Sequence, residues 1–387
     1  MNARWLLVGV VATAGASAAH AIDCTGTSTG MVAINDLGAG VYLGQFQGGL
    51  YPGGVNEPPA GHAAEGMARA GAIEPLNVDG DFDPAGKYVL LSIGMSNTTQ
   101  EFCSQGSALP CDAWTFMGQS TDDGSVNHST LAIVNGARGG QAAPAWDSPT
   151  DPEYDRIRDE RLAPQGLSEA QVQAVWVKVA NAGPMIPLPD PQADAFRLVT
   201  QMGNIARALK VRYPNVKIAF FSSRIYAGYA DTNLNPEPYS YEAGLAVKWL
   251  VDAQITQMNG GGTDPRAGDL HYASAAPWIA WGPYLWADGL TPRSDGLTWA
   301  CAEFQSDGTH PGQPAEQKVG LMLLNFMKTS PFTVPWFLAP SGPAVPTASQ
   351  WGLAVMALML AISGTVILGG HAGPRRINLP IRPRSSR

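Results

Sequence analysis

Between residues 87 and 329 the chain alternates short apolar runs with longer stretches in which apolar residues recur every three or four positions. The runs are Lys87–Ile93, Thr130–Asn135, Ala174–Ala180 and Val216–Ser222. They are apolar on both faces, which predicts strands of a parallel sheet covered by helices. Helical spacing marks Asp190–Tyr213 through Phe196, Val199, Met202, Ala206 and Leu209, with Asp190-Pro191 as the expected cap and Pro214 beyond the end. The same period runs through Tyr239–Met258 (Leu245, Trp249, Leu250, Ala253, Ile255) and Gln313–Thr329 (Val319, Leu323, Phe326, Met327). Strands alternating with helices predict an α/β domain of three layers, α/β/α, with a mostly parallel sheet. Residues 22–86 are instead rich in turn chemistry, as in Gly48–Gly54 and Asn56–Pro59. That segment is expected to wrap the domain and to line its site.

Both ends carry apolar segments of another kind. Arg4, the apolar stretch Trp5–Ala14 and Ala19-His20-Ala21 have the order of a secretory leader, with cleavage expected after Ala21. Trp351–Gly370 is 20 residues without a charge, the length of a membrane-spanning helix. Arg375, Arg376, Arg382, Arg384 and Arg387 follow it with no acid, so the tail 371–387 is expected to stay cytoplasmic. This organisation predicts a leader (1–21), a domain (22–338), a linker (339–350), a membrane helix (351–370) and a basic tail. The domain is then exported, in the periplasm or at the cell surface, and tethered.

Composition supports a folded domain: 45% of the 387 residues are apolar and only 14% charged, with 44 Gly and 31 Pro for ordered loops. With the six arginines of the two ends set aside, 18 basic residues face 32 acidic ones, a formal charge near −14. Such a surface argues against nucleic acid as a partner, because that binding rests on cations at phosphate. Export makes the four cysteines candidates for disulfides. Cys103 and Cys111 flank a short loop and are the first candidates, which leaves Cys24 and Cys301; four cysteines permit three pairings. No cysteine or histidine spacing matches a structural zinc site, and no metal or cofactor is expected.

Four segments carry candidate chemistry. Ser96, in Leu90-Leu91-Ser92-Ile93-Gly94-Met95-Ser96-Asn97, stands on a turn at the carboxyl end of a strand, where ligands collect in open α/β sheets. Asp307-Gly308-Thr309-His310-Pro311 places an acid three residues before a histidine, so that the acid can orient the ring. Asn135-Gly136-Ala137-Arg138-Gly139-Gly140-Gln141, followed by Trp146, offers glycine N–H groups open to a ligand. Trp176–Asn181 is a strand ending in an amide that can donate to a developing oxyanion. Other candidates read as structure. Asp269-Leu270-His271 lacks a third metal ligand, His62 and His128 sit in polar loops, and the pairs Asp81/Asp83 and Asp122/Asp123 belong to Gly-rich loops. Trp278, Trp281, Trp286 and Trp299 read as packing before they read as a sugar-stacking wall.

Ser96, Gly140, Asn181 and Asp307/His310 together resemble the SGNH/GDSL hydrolase superfamily, named for its Ser, Gly, Asn and His blocks. Gly94-Met95-Ser96-Asn97 is similar to the Gly-Gln-Ser-Asn of its carbohydrate acetylesterase branches, as is the Gly139-Gly140…Trp146 pattern. Asp307–His310 matches the last block fully; Met95 replaces the usual Asp or Gln, and Val179-Ala180-Asn181 lacks the usual glycine. The resemblance spans about residues 87–329 and implies a flavodoxin-like three-layer fold. It implies Ser96 as nucleophile, His310 as base and Asp307 as its orienting acid. Gly140 (with Gly139 as the neighbouring alternative) and Asn181 would form the oxyanion hole. The implied substrate is a small acyl ester or an acetylated glycan, and the implied mechanism an acyl-enzyme without a cofactor. A glycan-binding module on the same fold, and a lipase or thioesterase of the superfamily, are the alternatives. At the other end, Pro346-Thr347-Ala348-Ser349-Gln350-Trp351-Gly352 resembles the IPTL-type C-terminal sorting signal of Gram-negative bacteria, with Val345 and Ala348 in place of Ile and Leu. That resemblance implies surface sorting and a membrane peptidase as a partner.

Overall fold

The computed structural model describes residues 22–104 and 109–340. The expected leader, the sorting motif, the membrane span and the basic tail lie outside them. No helix among the described residues is long and apolar enough to cross a membrane.

Five strands form the sheet: β1 (Tyr88–Gly94), β2 (Leu131–Asn135), β3 (Val172–Lys178), β4 (Ile218–Phe221) and β5 (Trp278–Trp281). Their order is β2-β1-β3-β4-β5, and every pairing is parallel. Every residue of β1, β3, β4 and β5 is buried, which requires cover on both faces. The helices of seven residues or more are α1 (Ala60–Gly71), α2 (Ser96–Phe102), α3 (Phe116–Asp122), α4 (Asp194–Arg212), α5 (Tyr239–Met258) and α6 (Gln313–Thr329). Phe102 of α2 stacks on Trp176 of β3, and Phe326 of α6 meets Phe220 of β4 edge-on. The side chains of one sheet face thus interdigitate with α2 and α6, while α4 and α5 pack on each other.

The last two predicted helices appear over the expected residues. The first begins at Asp194 rather than Asp190. Asp190 spends its side chain on the N–H of Gln192 (2.7 Å) and its carbonyl on the N–H of Ala193 (2.9 Å), a local turn that stops short of the helix. Asp194 closes the loop before it, accepting the N–H groups of Met185 (2.6 Å) and Ile186 (2.8 Å). The strands keep their places with ends moved by one or two residues.

Strand β5 lies at a sheet edge and was hidden in the tryptophan-rich stretch. Its open edge is closed by side chains: Ile279 donates its N–H to Gln254 Oε1 (2.7 Å), and its carbonyl meets His62 Nε2 (2.9 Å). His62 is therefore not a solvated loop residue. It lies on α1, buried and stacked on Trp278, and burial lowers its pKa to about 4, so it works as a neutral donor. Trp278, Trp281, Trp286 and Trp299 are all buried. Each indole N–H is bonded internally, to His62 O, Leu50 O, Glu237 Oε1 and Leu285 O respectively. These rings are core, not a sugar platform.

The N-terminal segment wraps the domain. Cys24 is bonded to Cys301, and Cys103 to Cys111. Asp288 accepts the hydroxyl of Ser28 and the N–H groups of Thr29 and Gly30. Helix α1 then packs its Gly66 against the Trp278 ring, where any Cβ would collide.

Candidate active site

The site lies over the carboxyl ends of β1, β3 and β4, the position that parallel-sheet topology favours. Strand β1 ends at Gly94, whose missing Cβ matters: one placed there would lie 2.2 Å from the carbonyl of Lys178 and 2.4 Å from Thr98 Oγ1. The turn can therefore press against β3, and Thr98 donates its hydroxyl to that same carbonyl at 2.6 Å. Ser96 follows as the first residue of α2, half-buried, with its side chain at the cavity wall.

The histidine arrives from the loop before α6. Gly308 has φ of +60°, and a Cβ there would overlap the carbonyl of Tyr229, so only glycine lets this loop close. Asn97 Nδ2 donates to the carbonyl of Thr309 (3.1 Å), which ties the serine turn to the histidine loop. Ser96 Oγ then lies 2.8 Å from His310 Nε2, and His310 Nδ1 lies 2.5 Å from Asp307 Oδ2. Asp307 Oδ1 also accepts the N–H groups of Thr309 and His310, both at 3.0 Å. Burial raises the Asp307 carboxyl, but the hydrogen bond from the His310 ring and those from the two N–H groups outweigh it and hold it at about 2. A charged Asp307 fixes the proton on Nδ1 and leaves Nε2 free to accept from Ser96.

The glycine loop is bound to the same turn, because Arg138 donates its N–H to the carbonyl of Gly94 (3.0 Å). Gly140 lines the cavity together with Ser96, and a Cβ at Gly139 would lie 3.8 Å from Ser96 Cβ. Asn181 lines the cavity three residues beyond β3. One of its two amide hydrogens is spent on the carbonyl of Asp194 (2.9 Å), and the second remains to donate. Trp146 is fully buried beneath the loop, its N–H on the carbonyl of Gln141 (3.1 Å). All five expected site residues thus meet at one place, or, for Asp307, directly behind it.

The cavity they border encloses about 270 Å³ and is also lined by Met95, Asn97, Arg224, Leu234, Asn235 and Thr309. None of its lining residues comes from 22–86, so the wrapping segment does not line the site as expected. A larger cavity, about 740 Å³, lies elsewhere, between residues such as Leu50, Trp281 and Phe326, and holds none of this chemistry.

Sequence reasoning missed three charged groups here. Glu101 of α2 and Lys178 of β3 form a fully buried ion pair. Desolvation raises the carboxyl and lowers the ammonium to about 8. Arg224, three residues past β4, is buried at the cavity wall. A charged residue just past the carboxyl end of a buried strand was the available signal. Outside the site, the Asp269–His271 segment is a surface turn in which Asp269 accepts the His271 N–H (2.9 Å).

No family model matches the chain, and no curated protein does. Solved structures similar to it include a protein from Arabidopsis thaliana, at 12% identity and TM-score 0.36, covering 63% of this chain and 98% of that one. A carbohydrate esterase family 3 protein from Talaromyces cellulolyticus matches at 11% identity and TM-score 0.32, over 62% of this chain and 95% of that one. A carbohydrate esterase family 2 enzyme plus carbohydrate binding domain from Corynascus thermopiles (Myceliophthora fergusii) matches at 14% and 0.32, over 63% and 66%. Likeness of this degree assigns neither an activity nor a substrate.

Proposed function

We propose that this chain is an exported serine esterase that hydrolyses short acyl esters, foremost acetyl esters on a glycan. The observation that carries the reading is the relay Ser96–His310–Asp307, with 2.8 Å and 2.5 Å between the successive polar atoms. His310 Nε2 takes the Ser96 proton as Oγ attacks the ester carbonyl, and Asp307 stabilises the imidazolium that forms. The N–H groups of Ser96 and Gly140 and the second amide hydrogen of Asn181 hold the oxyanion. His310 then protonates the leaving alcohol, and water, activated by the same nitrogen, releases the acid from Ser96. A cavity of about 270 Å³ falls just below the roughly 300–1,000 Å³ of sites for drug-sized ligands. The choice of acetyl rests on Gly94-Met95-Ser96-Asn97 and Gly139-Gly140…Trp146, which resemble blocks of carbohydrate acetylesterases.

Export and tethering belong to the same proposal. They rest on the leader at 1–21, the apolar span 351–370 with its basic tail, and the sorting motif before it. Two disulfides accord with an oxidising compartment.

The test is hydrolysis of p-nitrophenyl acetate by the wild-type protein, Ser96→Ala and His310→Ala, with fluorophosphonate labelling of each. Wild type should turn over and label at Ser96, and both variants should lose turnover by about 10⁴-fold or more. Equal rates in all three would sink the reading. A folded wild type that neither labels nor hydrolyses any ester would leave a glycan-binding module instead. Acetate should also outrun octanoate; the reverse order would point to a lipase.

A further inference from the structure

Arg224 is 2% exposed, lines the catalytic cavity, and its guanidinium has no hydrogen bond or ion pair among the described residues; Nε and Nη2 are both buried orphans. A buried guanidinium without a partner is among the more expensive arrangements in a folded protein. Three carboxylates lie close enough to act on its charge, those of Glu101, Glu237 and Asp307. Each is already committed. Both oxygens of Glu101 accept from Lys178. Glu237 accepts the Ala227 N–H (3.0 Å) and the Trp286 indole (2.7 Å) on one oxygen and the Tyr241 N–H (3.0 Å) on the other. Asp307 is held by His310 and Thr309. The fork is thus unanswered from within, in a residue that lines the same cavity as Ser96.

A planar fork of N–H donors matches a carboxylate, which can accept two of them at once. Neighbouring amides add acceptors of the opposite kind. Asn97, Asn181 and Asn235 line the same cavity, and the side-chain carbonyl of each lacks a donor among the described residues. Unanswered acceptors beside an unanswered cation fit a ligand that carries hydroxyls and an acid on one frame.

We propose that Arg224 seats a carboxylate of the substrate, so that the ester offered to Ser96 belongs to an anionic molecule, with a sugar acid as the fitting class. The inference rests on the esterase reading for its ester, but not for its carboxylate. That carboxylate can sit on the alcohol side, as in an acetylated hexuronate, or on the acyl side, as in a hemisuccinate.

Two arms test it. In the binding arm, Ser96→Ala is titrated calorimetrically with galacturonate and with galactose. Galacturonate should bind at least ~10-fold tighter, and Arg224→Met placed in the same background should erase the difference. In the kinetic arm, wild type is given acetylated polygalacturonate against acetylated xylan, and naphthyl hemisuccinate against naphthyl acetate. A preference of ~10- to 100-fold in kcat/KM within the first pair places the acid on the alcohol side; within the second, on the acyl side. Arg224→Lys should keep part of the preference through KM, as a point charge without the fork. Should Arg224→Met fail to fold, competition in wild type decides: galacturonate should inhibit competitively where galactose does not. Equal binding and equal kcat/KM for acidic and neutral ligands, in a protein that hydrolyses both, overturn this inference and leave the esterase standing. A protein that hydrolyses nothing yet binds galacturonate through Arg224 overturns the esterase and keeps the seat.

Discussion

Of the groups that wall or back the candidate cavity, Ser96, His310 and Asp307 are linked in series, and Asp307 accepts three hydrogen bonds in all. The other groups of the wall, Arg224 and the side-chain carbonyls of Asn97, Asn181 and Asn235, end without partners among the described residues. The first set is ordered before any substrate arrives, which is what positioning a proton transfer to within tenths of an ångström requires. The second keeps its polar groups unanswered, and a buried group of that kind asks for a partner that the protein itself does not supply. The contrast separates two tasks that share one cavity. Under the proposed reading, chemistry is held by internal bonds, and recognition is left to the ligand.

The sharpest way to break this contrast is Asp307→Asn. Its carbonyl can still accept the N–H groups of Thr309 and His310, so the loop should keep its shape. Its amide then faces Nδ1 as a donor, which forces the proton onto Nε2 and leaves the ring unable to accept from Ser96. Turnover of p-nitrophenyl acetate should fall by ~10³- to 10⁴-fold with little change in melting temperature. A loss below tenfold would mean that the triad is not ordered through Asp307.

Asn181 is partnered in part: its carbonyl is unanswered, and its amide has one hydrogen on the Asp194 carbonyl and one unassigned. Asn181→Ala should cost ~10²- to 10³-fold in kcat if the second hydrogen meets the oxyanion, with KM changed only a few-fold. The bond to Asp194 contributes about 1 kcal/mol to stability, which a urea melt reads separately. A lower melting point with kcat intact would make Asn181 a structural brace and not an oxyanion donor.

How much of this was legible in the sequence follows the same division. The β1, β3 and β4 runs and the period of α5 and α6 report burial, and burial is what hydrophobic patterning encodes. Ser96, Asp307 and His310 were readable because each stands in a turn whose neighbours are constrained: Gly94 by the approach of β3, Gly308 by the Tyr229 carbonyl. Strand β5 was not readable. Its Trp278-Ile279-Ala280-Trp281 has no alternation, and its free edge is answered by Gln254 and His62, one 25 and the other 217 residues away. The start of α4 was misread because Asp190-Pro191 is turn chemistry as well as cap chemistry, and the choice between them is made by the bonds Asp190 forms. Arg224 gave no local signal beyond its place after a strand, since what distinguishes it is the commitment of Glu101, Glu237 and Asp307 to other partners.

The smallest expected effect concerns acid. Asp307 is held at about 2, below the ordinary carboxylate value. A depressed carboxyl adds stability that is complete above its unfolded pKa, near 3.9, and is lost as pH falls through about 2. For a partly exposed group the term is about 1 kcal/mol after solvent screening. Glu237, behind Arg224, runs the other way. Burial, against the bonds it accepts from Trp286, Ala227 and Tyr241, raises it to about 7, and its contribution, complete below about 4.5, fades as pH rises through 7. Glu242 and Glu316 are raised to about 7 by burial as well and add to that slope. Urea melts across pH 2–8 should therefore rise between about 2 and 4 and decline between about 4.5 and 7. In Asp307→Asn the acid rise should shrink by about 1 kcal/mol while the decline persists. If the variant and wild type track each other down to pH 2, the charge on Asp307 is not what orders the triad, and the partnered and unpartnered groups do not differ in the way their hydrogen bonds indicate.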